Sequence, residues 1–394
     1  MFSDSVIARS FSCGANKAAY YLCFGLAPYF KSQVFESCKL SGDYCVMFDE
    51  SLNKSLQSKQ LVVLVRFWDD ENFVTKYVDS SFLGYSTANV TVSHLLTTIS
   101  KLDFSNLMGV SMDGPYVNWK IFDLLQTILK NQFGCQIPNV GSCSLHVVNN
   151  VFERGFVETQ WHLDDFLRSL HWLFKDAPAR KEDFLEASQS KLMPLKFCGH
   201  RWLENGPAAQ RALDILDDLK LCISSVEKGK FNKPSSKSYL LVIASCKDIL
   251  LPVKLHFFLS VIRILQPFLT LYQKDWPMLL DTFKVLKNES VSEMKEYCDF
   301  ANFDFNNHKG SISKVSIGFV AGNILKKLLA QKQITDKAGL DLQHDCQKCI
   351  IAIVKKIAEK SPLSNQLVRC LASLDPRRMY HSSDKSYLRK WLSF

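Results

Sequence analysis

Two aspartates in the first third of the chain stand where a metal-dependent phosphoryl-transfer site would need them. Asp49 closes the apolar run Tyr44-Cys45-Val46-Met47-Phe48, and Asp113 follows Leu107-Met108-Gly109-Val110-Ser111-Met112. Carboxylates at the C-terminal ends of neighbouring strands can hold Mg²⁺ ions, which activate water or a hydroxyl for in-line attack on a phosphodiester. Aspartate is also a common turn residue after a strand, so the pair acquires meaning only from what positions it.

Three further clusters carry reactive side chains. Cys143-Ser144-Leu145-His146 is a Cys-x-x-His step, half of a zinc site, but no second pair stands at ligand spacing nearby and no zinc is expected. Cys346-Gln347-Lys348-Cys349, just behind His344, is the only Cys-x-x-Cys. Its helical pattern and lack of a partner pair assign it to core packing. Phe197-Cys198-Gly199-His200-Arg201-Trp202 joins a guanidinium suited to phosphate with an indole suited to stacking on an unpaired base. On composition alone, a Trp anchoring a helix against a sheet is the stronger reading of that segment.

The elements that must position these residues follow from the apolar spacing. Residues 1–43 form a lead-in with a helical stretch near Ala18–Leu26, then Pro28 and a polar passage to Asp43. Tyr44–Phe48, Leu61–Trp68 and Lys76–Tyr85 are short strand-like runs. They are followed by a helix at Val92–Lys101, a strand at Leu107–Met112, an amphipathic helix at Val117–Phe133 and a fifth short strand within Ile137–Val148. Beyond residue 150 the spacing is helical: Leu163–Phe174, Ala208–Ser224, Leu250–Tyr272, Ile312–Leu329 and Gly339–Glu359, with a Lys/Ser/Pro-rich loop at Lys228–Ser238. The order of elements over residues 44–150 is that of a ribonuclease-H-like sheet, in which the first and fourth strands are neighbours. That adjacency would set Asp49 beside Asp113.

Composition bounds the rest. At 394 residues and 47% hydrophobic content the chain can bury a large core in two domains or one elaborated domain. The net charge of +9 is uneven: Lys309–Phe394 holds 16 Lys/Arg against 6 Asp/Glu, and the remainder is close to neutral. Such a basic end suits a polyanion, most simply nucleic acid, or else marks the Lys-rich solvated faces of amphipathic helices. The longest apolar segment, Ile249–Tyr272, is interrupted by Lys254, His256 and Arg263, which fits a buried helix and no membrane association. The start of the chain has no signal-peptide pattern, so the thirteen cysteines are expected as reduced thiols in the nucleus or cytosol. The sequons at Asn89 and Asn288 are then expected to stay unmodified.

Taken in order, Phe48-Asp49-Glu50-Ser51, Met112-Asp113-Gly114, Cys143-x-x-His146 and Arg201-Trp202 resemble successive catalytic-domain motifs of the hAT transposase superfamily and of host proteins derived from it. The resemblance covers residues 44–205, and Leu374-Asp375-Pro376-Arg377 is similar to a late motif of the same proteins. It implies a mixed five-stranded ribonuclease-H-like sheet over 44–205, followed by an all-α region over 206–394. It also implies that Asp49 and Asp113 are two of three metal-binding acids, with Mg²⁺ as their ion. Cys143, His146, Arg201 and Trp202 would serve the site and its DNA contacts, with Trp202 stacking on a flipped base. The family's third acid, a Glu in a Ser-x-Glu-Arg-like segment, has no counterpart after Asp375, and no BED-type zinc finger or C-terminal dimerisation region is recognisable. The expected protein is therefore transposase-derived, nuclear or cytosolic, bound to DNA or to protein partners through its helices, and incomplete as a strand-transferase. Two other readings remain open. One is an interaction module without DNA binding; the other is an active nuclease drawing its third acid from Glu153, Glu158 or Asp165.

Overall fold

The computed structural model describes residues 5–10, 12–139, 141–272 and 316–360. Leu374–Arg377 and the Asn288 sequon lie outside the described residues. The chain divides by compactness into two units, Met1–Cys143 and Ser144–Phe394.

The first unit is mixed α/β. Strands β1 (Tyr44–Asn53), β2 (Ser58–Asp69) and β3 (Asn72–Leu83) form an antiparallel meander, and β4 (Leu107–Ser111) joins the sheet parallel to β1. The sheet order is β3-β2-β1-β4. Period-two alternation sets the faces: Tyr44, Val46 and Phe48 of β1 and Leu61, Val63, Val65 and Phe67 of β2 are buried together, whereas Cys45, Met47, Val62 and Leu64 between them are half-buried. Three helices close the buried face. These are α2 (Ala27–Ser41), α3 (Ala88–Thr98) and α4 (Tyr116–Ile128), which contribute Phe35 and Cys38, Val92 and Leu95, and Ile121, Phe122 and Leu125. Ahead of α2, helix α1 (Ala15–Tyr21) runs into it through a π turn, Leu22–Leu26. Pro28 explains that turn: it has no N–H to give the Phe24 carbonyl, and the Ala27 N–H reaches one residue further back, to Leu22.

The described part of Ile137–Val148 is loop followed by helix, where a fifth strand was expected. Leu145, Val147 and Val148 belong to the apolar stripe of helix α5 (Ser144–Glu158), whose Val148, Val151, Phe152 and Phe156 are buried. A short apolar run does not separate a strand from the start of a helix.

The second unit contains helices and no strand among its described residues. Besides α5 it contains α6 (Leu163–Phe174), α7 (Pro178–Ser188), α8 (Gly206–Asp214), α9 (Leu216–Glu227), α10 (Lys237–Lys247), α11 (Leu251–Tyr272), α12 (Phe319–Ala330) and α13 (Asp336–Lys360). The expected single helix over Ala208–Ser224 is broken at Ile215, which is itself fully buried. Helix α11 carries much of the core, with Phe257 and Phe258 packed edge-on or tilted against Phe152, Phe156 and Trp161. No described helix is long and apolar enough to cross a membrane.

Candidate functional site

The parallel pairing of β1 with β4 determines where the two aspartates fall. Cys45 is opposite Gly109, and Met47 is opposite Ser111. A Cβ placed on Gly109 would meet the Cys45 thiol at 3.6 Å, so these paired residues share the half-buried face. Asp49 lies two residues beyond Met47 in β1, and Asp113 two residues beyond Ser111, just past the end of β4. Asp49 is exposed and still within β1, paired to Val62 of β2. Its neighbour Glu50 is held by Lys59 and by the Ser86 hydroxyl.

Asp113 stands in the turn between β4 and α4. The Asn118 side-chain amide donates to its carbonyl at 3.4 Å. The loop that ends at Cys143 folds back onto this turn: the Cys143 N–H donates to the Met112 carbonyl at 2.9 Å, and a Cβ on Gly114 would meet the Ser142 hydroxyl at 3.0 Å. The Asp113 carboxylate and the Cys143 thiol thereby lie within 4.8 Å of each other. His146 is three residues further along the chain, in the first turn of α5. Asp49 belongs to no group of three metal-capable side chains among the described residues.

This donor set bears on which ion the site suits. Mg²⁺ requires oxygen ligands in near-octahedral geometry, whereas a thiolate selects softer ions such as Zn²⁺. A thiol beside Asp113 therefore suits a softer ion than the Mg²⁺ of a two-metal site.

The remaining candidates lie in the second unit. Trp202 is 4% exposed, packed edge-on against Phe197 at 5.3 Å, and its indole N–H has no partner. Its ring faces are covered, so the expected stacking platform is instead a core side chain. Phe197, Trp202 and Leu203 enter the core while His200 and Arg201 between them stay exposed, and burial of the indole outweighs exposing it. Arg201 is exposed and paired with Glu204 at 3.2 Å. The loop carrying both is fixed by Asn205, which is 1% exposed: its amide group donates to the carbonyls of Cys198, Arg201 and Trp202, and its oxygen accepts from the Cys198 N–H. A second buried asparagine, Asn149 on α5, accepts from the Leu203 N–H at 3.0 Å. Neither asparagine stood out among the motifs, although a polar residue directly after Trp-Leu-Glu is the kind of signal a buried staple leaves.

The alternative third acids are distributed among different partners. Glu158 is paired with Arg154 at 2.7 Å, and Asp165 lies 3.6 Å from His162. Burial, and then the nearby Asp164, raise the pKa of Glu153, with Arg168 opposing. Cys346 and Cys349 are fully buried in the α13 core, and burial pushes the Cys346 thiol far above the ordinary range, as expected for packing residues. No protein-family model matches the chain, and no curated protein matches it.

Proposed function

We propose that this chain is a ribonuclease-H-like, transposase-derived protein that associates with nucleic acid without complete strand-transfer chemistry. The observation that carries the reading is the central β1 strand flanked by antiparallel β2 and parallel β4, with Asp49 and Asp113 each two residues beyond the last β1–β4 pair, Met47 with Ser111. That placement is how such a sheet presents two acids from neighbouring strands. The incompleteness rests on the donors: the Cys143 thiol, a soft ligand that Mg²⁺ does not favour, lies within 4.8 Å of the Asp113 carboxylate. The Asp113–Cys143 pair, with His146 one Cys-x-x-His step along the chain, suits a zinc-like ion better than Mg²⁺.

Affinity for nucleic acid would come from the lysines of the basic C-terminal part, among them Lys326, Lys327, Lys355 and Lys356. A polyanion held by several lysines releases counterions, so binding weakens steeply with salt. Fluorescence anisotropy with a labelled DNA duplex between 50 and 200 mM salt tests this. A loss of affinity of about 10²-fold or more is expected. Binding that is absent at 50 mM salt, or flat across the series, would favour the second reading, a protein-interaction module. The burial of Trp202 favours that second reading to the extent that it removes the base-stacking side chain.

A further inference from the structure

The loop between α9 and α10 concentrates positive charge. Lys228–Ser238 holds four lysines, at 228, 230, 233 and 237, and no acid. Two neighbouring acids are already engaged: Glu186 of α7 pairs with Lys230 at 3.0 Å, and Glu227 at the end of α9 pairs with Lys247 at 3.6 Å. Lys228, Lys233 and Lys237 are exposed and have no ion-pair partner among the described residues.

These lysines are displayed on a fixed backbone. The Lys228, Gly229 and Lys230 N–H groups donate to the carbonyls of Ser224, Val226 and Ser225, each at 3.0 Å, and Gly229 turns the chain with φ +76°. At the other end the Ser236 hydroxyl caps α10 by accepting from the Tyr239 N–H at 3.3 Å. Between these two ends Phe231 packs against the core.

One of the four lysines stands where helix electrostatics oppose it. Lys237 is the first residue of α10, and the first turn of that helix has no acid. A helix start carries partial positive charge and orphan N–H groups, so an acid there stabilises and a lysine costs stability. An anion that meets Lys237 and this helix start together removes the conflict. Breaks of a local rule of this kind are expected at functional surfaces.

The chemistry of the loop also chooses between anions. Phe231 and Pro234 are its only apolar side chains, and both are half-buried. The loop therefore has no apolar anchor to enter lipid or to seat in a protein partner. Its grip is charge alone, spread over several point cations, which fits a polymer of regularly spaced phosphates.

We propose that the Lys228–Ser238 loop, with the start of α10, holds the phosphate backbone of a nucleic acid through Lys228, Lys233 and Lys237. This contact rests on the nucleic-acid reading and adds to the lysines of the C-terminal part.

The test is fluorescence anisotropy of the full chain with a labelled DNA duplex across the same salt range, beside Lys228→Ala/Lys233→Ala/Lys237→Ala. Each phosphate contact contributes ~0.9 to the slope of log affinity against log salt, so the triple variant should make that slope shallower by about 2–3. A control triple, Lys54→Ala/Lys120→Ala/Lys130→Ala, removes the same charge from exposed lysines of the first unit and should leave the slope unchanged. Acetylation footprinting of the unsubstituted chain should show Lys228, Lys233 and Lys237 protected by the duplex, a result that does not depend on how the variants fold. An unchanged slope in the loop variant, an equal loss in the control, or acetylation at the same rate with and without duplex would overturn the proposal while leaving the nucleic-acid reading standing. Absence of DNA binding by the unsubstituted chain at the lowest salt would overturn both. Capture by phosphatidylserine vesicles that the loop variant loses, without a footprint on DNA, would overturn the proposal in favour of a membrane surface.

Discussion

The Cys143 thiol lies within 4.8 Å of the Asp113 carboxylate, and this proximity bears on the chemistry available at the end of β4. Cys143 is brought there by a backbone hydrogen bond to Met112, so the arrangement belongs to the fold of the loop rather than to a side-chain rotamer. Because sulfur selects softer ions, Co²⁺ used as a spectroscopic stand-in for Zn²⁺ should bind the full chain at least ~10-fold more tightly than Mg²⁺. The thiolate charge-transfer absorption should vanish in Cys143→Ser. Equal affinity for the two ions, or an unchanged spectrum in the variant, would show that Cys143 is not a ligand. The identities of Asp49, Asp113 and Cys143 were legible in the sequence, but the proximity of Asp113 to Cys143 was not. It depends on α4 and the loop after it bringing the chain back to the same turn, and no local pattern encodes that return. Trp202 shows the opposite failure: the residue was conspicuous, while its burial follows from Phe197 and the helices around it.

At the level of elements, period and burial pattern located four strands and most helices, because alternation in β1 and β2 and the three-and-four spacing of α6 or α11 are strong signals. The break at Ile215 and the helical start at Ser144 went unread, since each is decided by packing rather than by spacing. Helices α5 and α13 cross closely in the second unit. A Cβ added at Gly155 would lie 2.4 Å from Ile353 Cγ1 and 3.0 Å from the Cys349 carbonyl. In an open helix Gly→Ala gains up to about 1 kcal/mol. Here the backbone carbonyl cannot move aside cheaply, so overpacking prevails. Gly155→Ala should destabilise the protein by about 1–3 kcal/mol in chemical denaturation. At Gly322 on α12, where a Cβ would meet only Ile317 at 3.9 Å, the same change should be neutral or stabilising. Equal effects at both positions would contradict the crossing.

For the molecule as a whole, the cysteines report whether the two cores are formed. Burial pushes the thiols of Cys38 and Cys222 up to about 11 and that of Cys246 to about 12. These groups stay protonated in the folded chain where an unfolded thiol, with a pKa near ~8.5, has already ionised. The unfolded state then binds fewer protons than the native state, so stability is full below about pH 8 and falls as the pH rises toward the native values. Urea unfolding between pH 7 and pH 10.5 should show this decline, with Cys13 and Cys23 reacting rapidly with a thiol reagent at pH 7 and Cys38 and Cys346 protected. Rapid labelling of Cys38 would mean that the sheet and α2 are not packed as described.

The central claim is a sheet of nuclease ancestry that binds nucleic acid without completing its chemistry, and its most direct test is cleavage. Hairpin and transposon-end DNA would be incubated with the full chain in Mg²⁺ or Mn²⁺, beside Asp49→Ala under identical conditions. The account predicts DNA that is bound but uncut, with no metal-dependent product above the Asp49→Ala background. Metal-dependent strand cleavage that disappears with Asp49 would contradict it.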